Sequence, residues 1–188
     1  MNFASAGVHE SAQSSVCACH RLQNMRKELI APCGMNCNVC ANYLAMRNDL
    51  RTKGFHRSYC AGCRPRGKNC MYMSKQCDLL GKGLVNSCYE CGSFPCRRLK
   101  ELDKRYRSFY HMSMIENLLS IEKHGIQSFL EKEEEKWKCR ECGGVISCHN
   151  GICFHCHPDD LKNRTAISKW RTARSTVQVQ AWPQKESQ

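Results

Sequence analysis

Ten cysteines lie between Cys33 and Cys96, and they constrain this chain more than any other feature. They are Cys33, Cys37, Cys40, Cys60, Cys63, Cys70, Cys77, Cys88, Cys91 and Cys96: three CxxC pairs and four single sites. No aromatic-rich or aliphatic-rich run separates them. A stretch this poor in apolar side chains cannot rest on a large core, so something else must hold it. The choice is between disulfides and metal–thiolate bonds. Disulfides persist in oxidising compartments. Met1 to Glu28 has no apolar signal-peptide core, and no run of about eighteen apolar residues marks a membrane span. The expected compartment is the cytoplasm, where thiols in this number point to metal.

The chain has 188 residues and 17 cysteines, enough for one ordinary domain or two small ones. Its formal charge is +12. A zinc ion bound by four thiolates carries about −2, so three such sites cancel about half of that excess. The basic character that remains does not by itself demand nucleic acid.

Composition divides the chain into five segments. Residues 1–27, rich in Ser, Ala and Gln, read as a disordered leader. Cys17, Cys19 and His20 fall within it, and Met25 offers an alternative start. Residues 28–96 form a Cys-rich metal-binding domain. A helix is expected from Asn38 to Lys53, with Val39, Tyr43, Met46 and Leu50 on one face and Gly54 at its end. Cys37 and Cys40 then stand at its N-terminus, where the partial positive charge favours thiolate. Residues 97–136 read as a helical brace. Its helices are Arg97–Arg107, a second opened by the capping box Ser113-Met-Ile-Glu116 and closed by Gly125, and a third from Ile126 to about Lys136. The acidic run Glu131 to Glu135 reads as a solvated face. Residues 137–157 form a zinc ribbon, and 158–188 a disordered basic tail. The fold class is mainly α with metal-organised loops, a small α+β protein ending in a rubredoxin-like knuckle.

That last module has the more specific metal pattern. Cys139-Arg-Glu-Cys142-Gly-Gly and Cys153-Phe-His-Cys156 are two CxxC turns with ten residues between them. Each turn presents two thiolates with backbone N–H groups aimed at the sulfurs, and two turns close a tetrahedron for zinc or iron. Cys148, His149, His155 and His157 lie in the same module without an assigned role. One might replace a CxxC member as ligand, but a supporting or exposed position suits His155 and His157 better. The N-terminal set partitions less clearly. Cys33-x3-Cys37-x2-Cys40 has the spacing of the cluster loop of radical S-adenosylmethionine enzymes, but the chain lacks the length and strand–helix alternation of their barrel. Four thiolates suit either Zn2+ or a [4Fe–4S] cluster.

No phosphate-binding glycine loop, HExxH or GxSxG motif is present. A nucleophilic cysteine partnered by His56 or His111 is the weaker chemistry, because no thiol stands out from so many. Basic residues such as Arg64, Arg66, Lys68, Arg97, Arg98 and Lys100, with Tyr59, Tyr72 and Phe94 nearby, give a nucleic-acid reading. Compensation of thiolate charge is the simpler account of them.

With those residues placed, the chain resembles the bacterial and archaeal family catalogued as domain of unknown function 3795. The likeness rests on Ile30-Ala-Pro-Cys33-Gly-Met-Asn-Cys37-x-x-Cys40-x-x-Tyr43, on Cys60-x-Gly-Cys63-Arg64 and on Cys88-Tyr-Glu-Cys91-x-x-Phe94-Pro-Cys96-x-Arg98-Leu99-Lys100. It continues through Leu102-Asp-Lys-Arg-Tyr106, Ile115-Glu-Asn-Leu118 and Gly125-Ile126 to Trp137-x-Cys139-x-x-Cys142-Gly-Gly, covering about Glu28 to His157. The leader and the tail depart from the family pattern. The resemblance implies a cysteine-rich, metal-binding protein of the prokaryotic cytoplasm and supplies no reaction. The expected function is a zinc-binding structural or interaction module without catalysis. The alternatives are an iron–sulfur electron-transfer or redox partner and a zinc-ribbon nucleic-acid binder. The protein partner and oligomeric state stay open.

Overall fold

The computed structural model describes residues 25–66 and 77–173. Cys17, Cys19, Cys70, Lys68 and Tyr72 lie outside the described residues, as do residues 174–188 of the expected tail. The described chain is mainly helical. Its helices are α1 (Ala41–Arg47), α2 (Asp78–Gly81), α3 (Arg97–Tyr110), α4 (Met114–Lys136) and α5 (Arg164–Thr172). Short 3₁₀ turns occupy Lys27–Leu29, Cys37–Val39, Cys88–Glu90 and Pro158–Lys162. Among the described residues β-structure is limited to three isolated bridges, Ile30 with Asn36, Lys138 with Val145 and Ile146 with Cys153. The α+β part of the expectation therefore shrinks to these bridges, because the CxxC turns spend their residues on sulfur-directed loops.

Helices α3 and α4 form the brace, and α3 also packs against α5. On α3 Leu99 is fully buried while Leu102, Tyr106 and Tyr110 are half-buried. Phe109, on the same helix, points to solvent. The buried residues form one cluster that runs from Met25 and Leu29 through Val39, Leu44, Leu99, Ile115 and Leu118 to Phe154.

The junction of α3 and α4 is tied by a buried ionic network. Arg107 Nε donates to Asp103 Oδ2 at 2.6 Å, and its Nη2 reaches Ser113 Oγ and Glu116 Oε1, each at 2.9 Å. Ser113 caps α4 by accepting from the Glu116 amide at 3.0 Å. Only half of the expected capping box forms, because the Glu116 carboxylate turns to Arg107 instead of reaching back. The brace also breaks where the glycine signal placed it: Gly125 has φ +80° and ψ 163° inside Met114–Lys136, dividing α4 into two helical parts.

Five expectations are corrected. The helix expected over 38–53 is the shorter Ala41–Arg47, preceded by a 3₁₀ turn and followed by left-handed Asp49. Gly54, at φ +80°, closes a further turn on the Arg51 carbonyl and caps no helix. Glu133 is not part of a wet face. It is buried and accepts from Asn36 Nδ2 at 2.9 Å and from the Trp137 indole at 3.0 Å. The leader gives way to ordered chain earlier than residue 28. Met25 is buried, and its amide donates to Glu134. Finally, residues 158–173 are not a disordered tail. Trp170 of α5 stacks on Gly151, donates its indole N–H to the Cys148 carbonyl at 3.0 Å, and takes His111 Nε2 on its own carbonyl at 2.8 Å. Trp170 and the half-buried Ile167 are the apolar side chains by which this helix packs on the core, too few to announce it by periodicity.

Candidate metal centre

The C-terminal cysteine cluster is tight. The sulfurs of Cys139, Cys142, Cys153 and Cys156 all lie within 4.8 Å of one another. Cys139 to Cys156 and Cys142 to Cys153 are each 3.6 Å. The local sequence builds this geometry. The Gly143 amide bonds the Cys139 carbonyl at 2.9 Å, and the Cys139 amide bonds the Gly144 carbonyl at 2.7 Å. Gly143 takes a left-handed φ of +69°, which glycine adopts without penalty. The Gly144 amide then points at Cys142 Sγ, 3.4 Å away. A Cβ on Gly144 would sit 3.2 Å from Cys142 Sγ and 3.5 Å from Cys153 Sγ, so this glycine leaves the sulfur side clear.

Electrostatics at the knuckle favour a thiolate. Burial pushes Cys139 up, but the amides of Cys142 and Glu141 and the thiols of Cys156 and Cys142 pull it down to about 7. Burial raises Cys142, and burial with its three thiol neighbours raises Cys156, as expected where four acids share one site without a cation. His157 does not replace a cysteine. Its Nε2 pairs with Glu141 Oε2 at 2.6 Å, and Glu141, Cys156 and His157 form a second group within 4.8 Å. His155 is exposed.

In the N-terminal region the described thiols fall into two groups that spacing alone did not reveal. Cys33, Cys37, Cys40, Cys60 and Cys63 line a cavity of about 120 Å³ with Met35, Tyr106 and Met114. A hydrogen bond with Cys63 pushes the Cys37 thiol up, and burial adds to it. Burial also raises Cys40, whereas the amides of Tyr43 and Asn42 at the start of α1 lower it. The Cys37–Val39 turn and the Cys40 N-cap thus stand where the helix start was expected to put them. Gly62, at φ +102°, passes so close to Leu29 that a Cβ would sit 2.5 Å from its Cδ2. Cys77, Cys88, Cys91 and Cys96 form the other group, around a separate space.

Cys148 and His149 join neither set. Cys148 is fully buried, and its sulfur lies 3.1 Å from His149 Nδ1, which also accepts from the Ala41 amide at 3.4 Å. Burial holds the thiol well above its ordinary range. Burial lowers His149 to about 4, helped by Arg171, Arg57 and Arg105. A neutral thiol on a neutral imidazole is a packing contact, not an activated nucleophile. His111, the partner considered for a nucleophile, is spent on the Trp170 carbonyl.

The basic and aromatic residues singled out for nucleic acid are largely occupied. Arg64 donates to the carbonyls of Ile30 and Asn86, at 2.6 and 2.8 Å. Arg66 reaches Cys60 Sγ at 3.3 Å, compensating sulfur charge. Phe94 is buried, and the Tyr59 hydroxyl donates to Asp49 at 2.7 Å beneath the Arg51 guanidinium. No helix among the described residues is long and apolar enough to cross a membrane.

No curated protein and no solved structure matches the chain. A family model described as Protein of unknown function (DUF3795) matches residues 29–101. That span ends before the Trp137–Gly144 stretch in which the likeness was also traced. It contains all ten N-terminal cysteines, and over residues 29–101 the chain is similar to that family.

Proposed function

We propose that this protein is a non-catalytic metal-binding module whose C-terminal knuckle holds a structural zinc ion on Cys139, Cys142, Cys153 and Cys156. The sulfur geometry carries the reading. Zinc–thiolate bonds of about 2.3 Å place tetrahedral sulfurs about 3.8 Å apart. The two measured separations are 3.6 Å. Four thiolates close the coordination shell and leave no position for water. The neighbouring Glu141–His157 pair therefore has no metal-bound nucleophile to serve, which supports a structural role over an enzymatic one. Elemental analysis of natively expressed, oxygen-protected protein tests this. We expect bound zinc, with one equivalent per chain lost in Cys156→Ser. Metal-free wild-type protein, or a variant with an undiminished count, overturns it.

The larger N-terminal cavity favours a second reading for that region, an iron–sulfur cluster. Five thiols surround about 120 Å³ there, more sulfur and more room than one ion needs. Thiolate-to-iron absorption near about 400 nm in anaerobic protein supports it, and colourless protein excludes it. Cytoplasmic residence and docking to a protein partner complete the proposal. Binding of RNA or DNA that weakens steeply with salt would favour the nucleic-acid alternative instead.

A further inference from the structure

The second group of N-terminal thiols comes from three separate pieces of chain. Cys77 immediately precedes α2, and Cys96 immediately precedes α3. Cys88 begins a 3₁₀ turn that Cys91 closes by donating its amide to the Cys88 carbonyl at 3.2 Å. The same knuckle recurs at Cys37 and Cys40, where the amide bond is 3.1 Å. All four thiols line one small space of about 30 Å³, walled otherwise by Leu80, Val85, Phe94 and Leu99 with Ser93 at the rim. A water needs about 10–15 Å³ of such space, so there is room for one ion and not for a cluster. That is a quarter of the 120 Å³ beside Cys37 and Cys63.

The Ser93 amide donates to Cys91 Sγ at 3.4 Å, the pattern that Gly144 and Cys142 show in the C-terminal knuckle. These four sulfurs are gathered less tightly than the knuckle's, so closing on an ion takes side-chain rotation. Cys77, Cys91 and Cys96 are only half-buried, which leaves them that freedom.

We propose that Cys77, Cys88, Cys91 and Cys96 form a closed four-thiolate site for a single zinc ion, distinct from the C-terminal knuckle and from the larger N-terminal cavity. The ion clips α2 and the Cys88–Glu90 turn to the start of α3. Between Cys77 and Cys96 the fully or nearly buried apolar anchors are Leu80 and Phe94, so such a clip supplies the missing hold. The site rests on the reading of this chain as a thiolate metalloprotein, but not on occupancy of the C-terminal site.

Native mass spectrometry and elemental analysis of the full chain, expressed with zinc and kept reduced, test the site. Cys91→Ser and Cys96→Ser are each expected to lose one zinc per chain. Cys156→Ser is expected to lose a different one, and the Cys91→Ser/Cys156→Ser double variant to lose two. Zinc loss in Cys91→Ser alone sinks the C-terminal reading and keeps this one. An unchanged count in both Cys91→Ser and Cys96→Ser overturns this one. Alkylation of wild-type protein gives a readout free of variants that fail to fold. Cys77, Cys88, Cys91 and Cys96 should become labelled together as chelator withdraws one ion. Labelling at rates indifferent to zinc, or iron and sulfide retained on these four, overturns the site.

Discussion

The C-terminal knuckle and the N-terminal thiol region use the same side chain at different ranges. In the knuckle, two CxxC turns joined by a short loop bring four sulfurs within 4.8 Å. In the N-terminal region, nine described cysteines spread from Cys33 to Cys96 and line two cavities of about 120 and 30 Å³. The knuckle's geometry is local, set by Gly143, Gly144 and the turns themselves. The N-terminal geometry depends on packing: Gly34 fits only because it lacks a Cβ, which would meet the Met114 carbonyl oxygen of α4. A site built locally can wait for its metal, whereas one built across a fold is assembled with that fold.

Metal removal should break the comparison most visibly. Structural zinc sites contribute about 10 kcal/mol or more of apparent folding energy. Chelation of reduced protein should abolish the helical circular dichroism of the N-terminal region and loosen residues 137–157. An unchanged spectrum after complete stripping contradicts a metal-held fold. The brace offers the next largest effect. Asp103→Ala removes the buried carboxylate that pairs with Arg107 Nε and should cost about 3–5 kcal/mol in denaturant unfolding. A loss below about 1 kcal/mol would mean that Glu116 alone suffices for Arg107.

His149 sharpens the comparison because it belongs to the C-terminal module and accepts from Ala41 of the N-terminal one. Its pKa is lowered from 6.5 to about 4 in the fold, so the unfolded chain binds the proton first. Stability from the neutral imidazole is full above about pH 6.5 and is lost as pH falls toward about 4. Wild type should therefore lose up to about 3 kcal/mol relative to His149→Asn across that window. Parallel pH profiles for the two proteins would remove His149 from the junction. Trp170→Ala should have the smallest effect, about 1–2 kcal/mol for a half-buried anchor, with faster amide exchange confined to α5. Exchange that also quickens around Cys139 would show that the tail helix supports the knuckle.

The likeness to that family over residues 29–101, the helical brace, the Gly125 break and the C-terminal cysteine cluster were legible in the sequence because each is carried by short runs of residues. The grouping of the N-terminal thiols was not. Whether Cys60 faces Cys40 or Cys88 depends on how a loop is laid over α1 and α3, and no spacing rule encodes that. Glu133 was misread because Glu131 and Glu135 beside it are exposed, and its partner Asn36 lies in a distant turn. Helix α5 was missed because only Ile167 and an indole seated on Gly151 pack it against the core.

The single carboxylate of Glu133 touches both thiol regions: Asn36 precedes the Cys37 turn, and Trp137 opens the C-terminal knuckle. Were both regions to take metal, this shared strut would couple them, and a titration should then rise more steeply than two unconnected sites would allow.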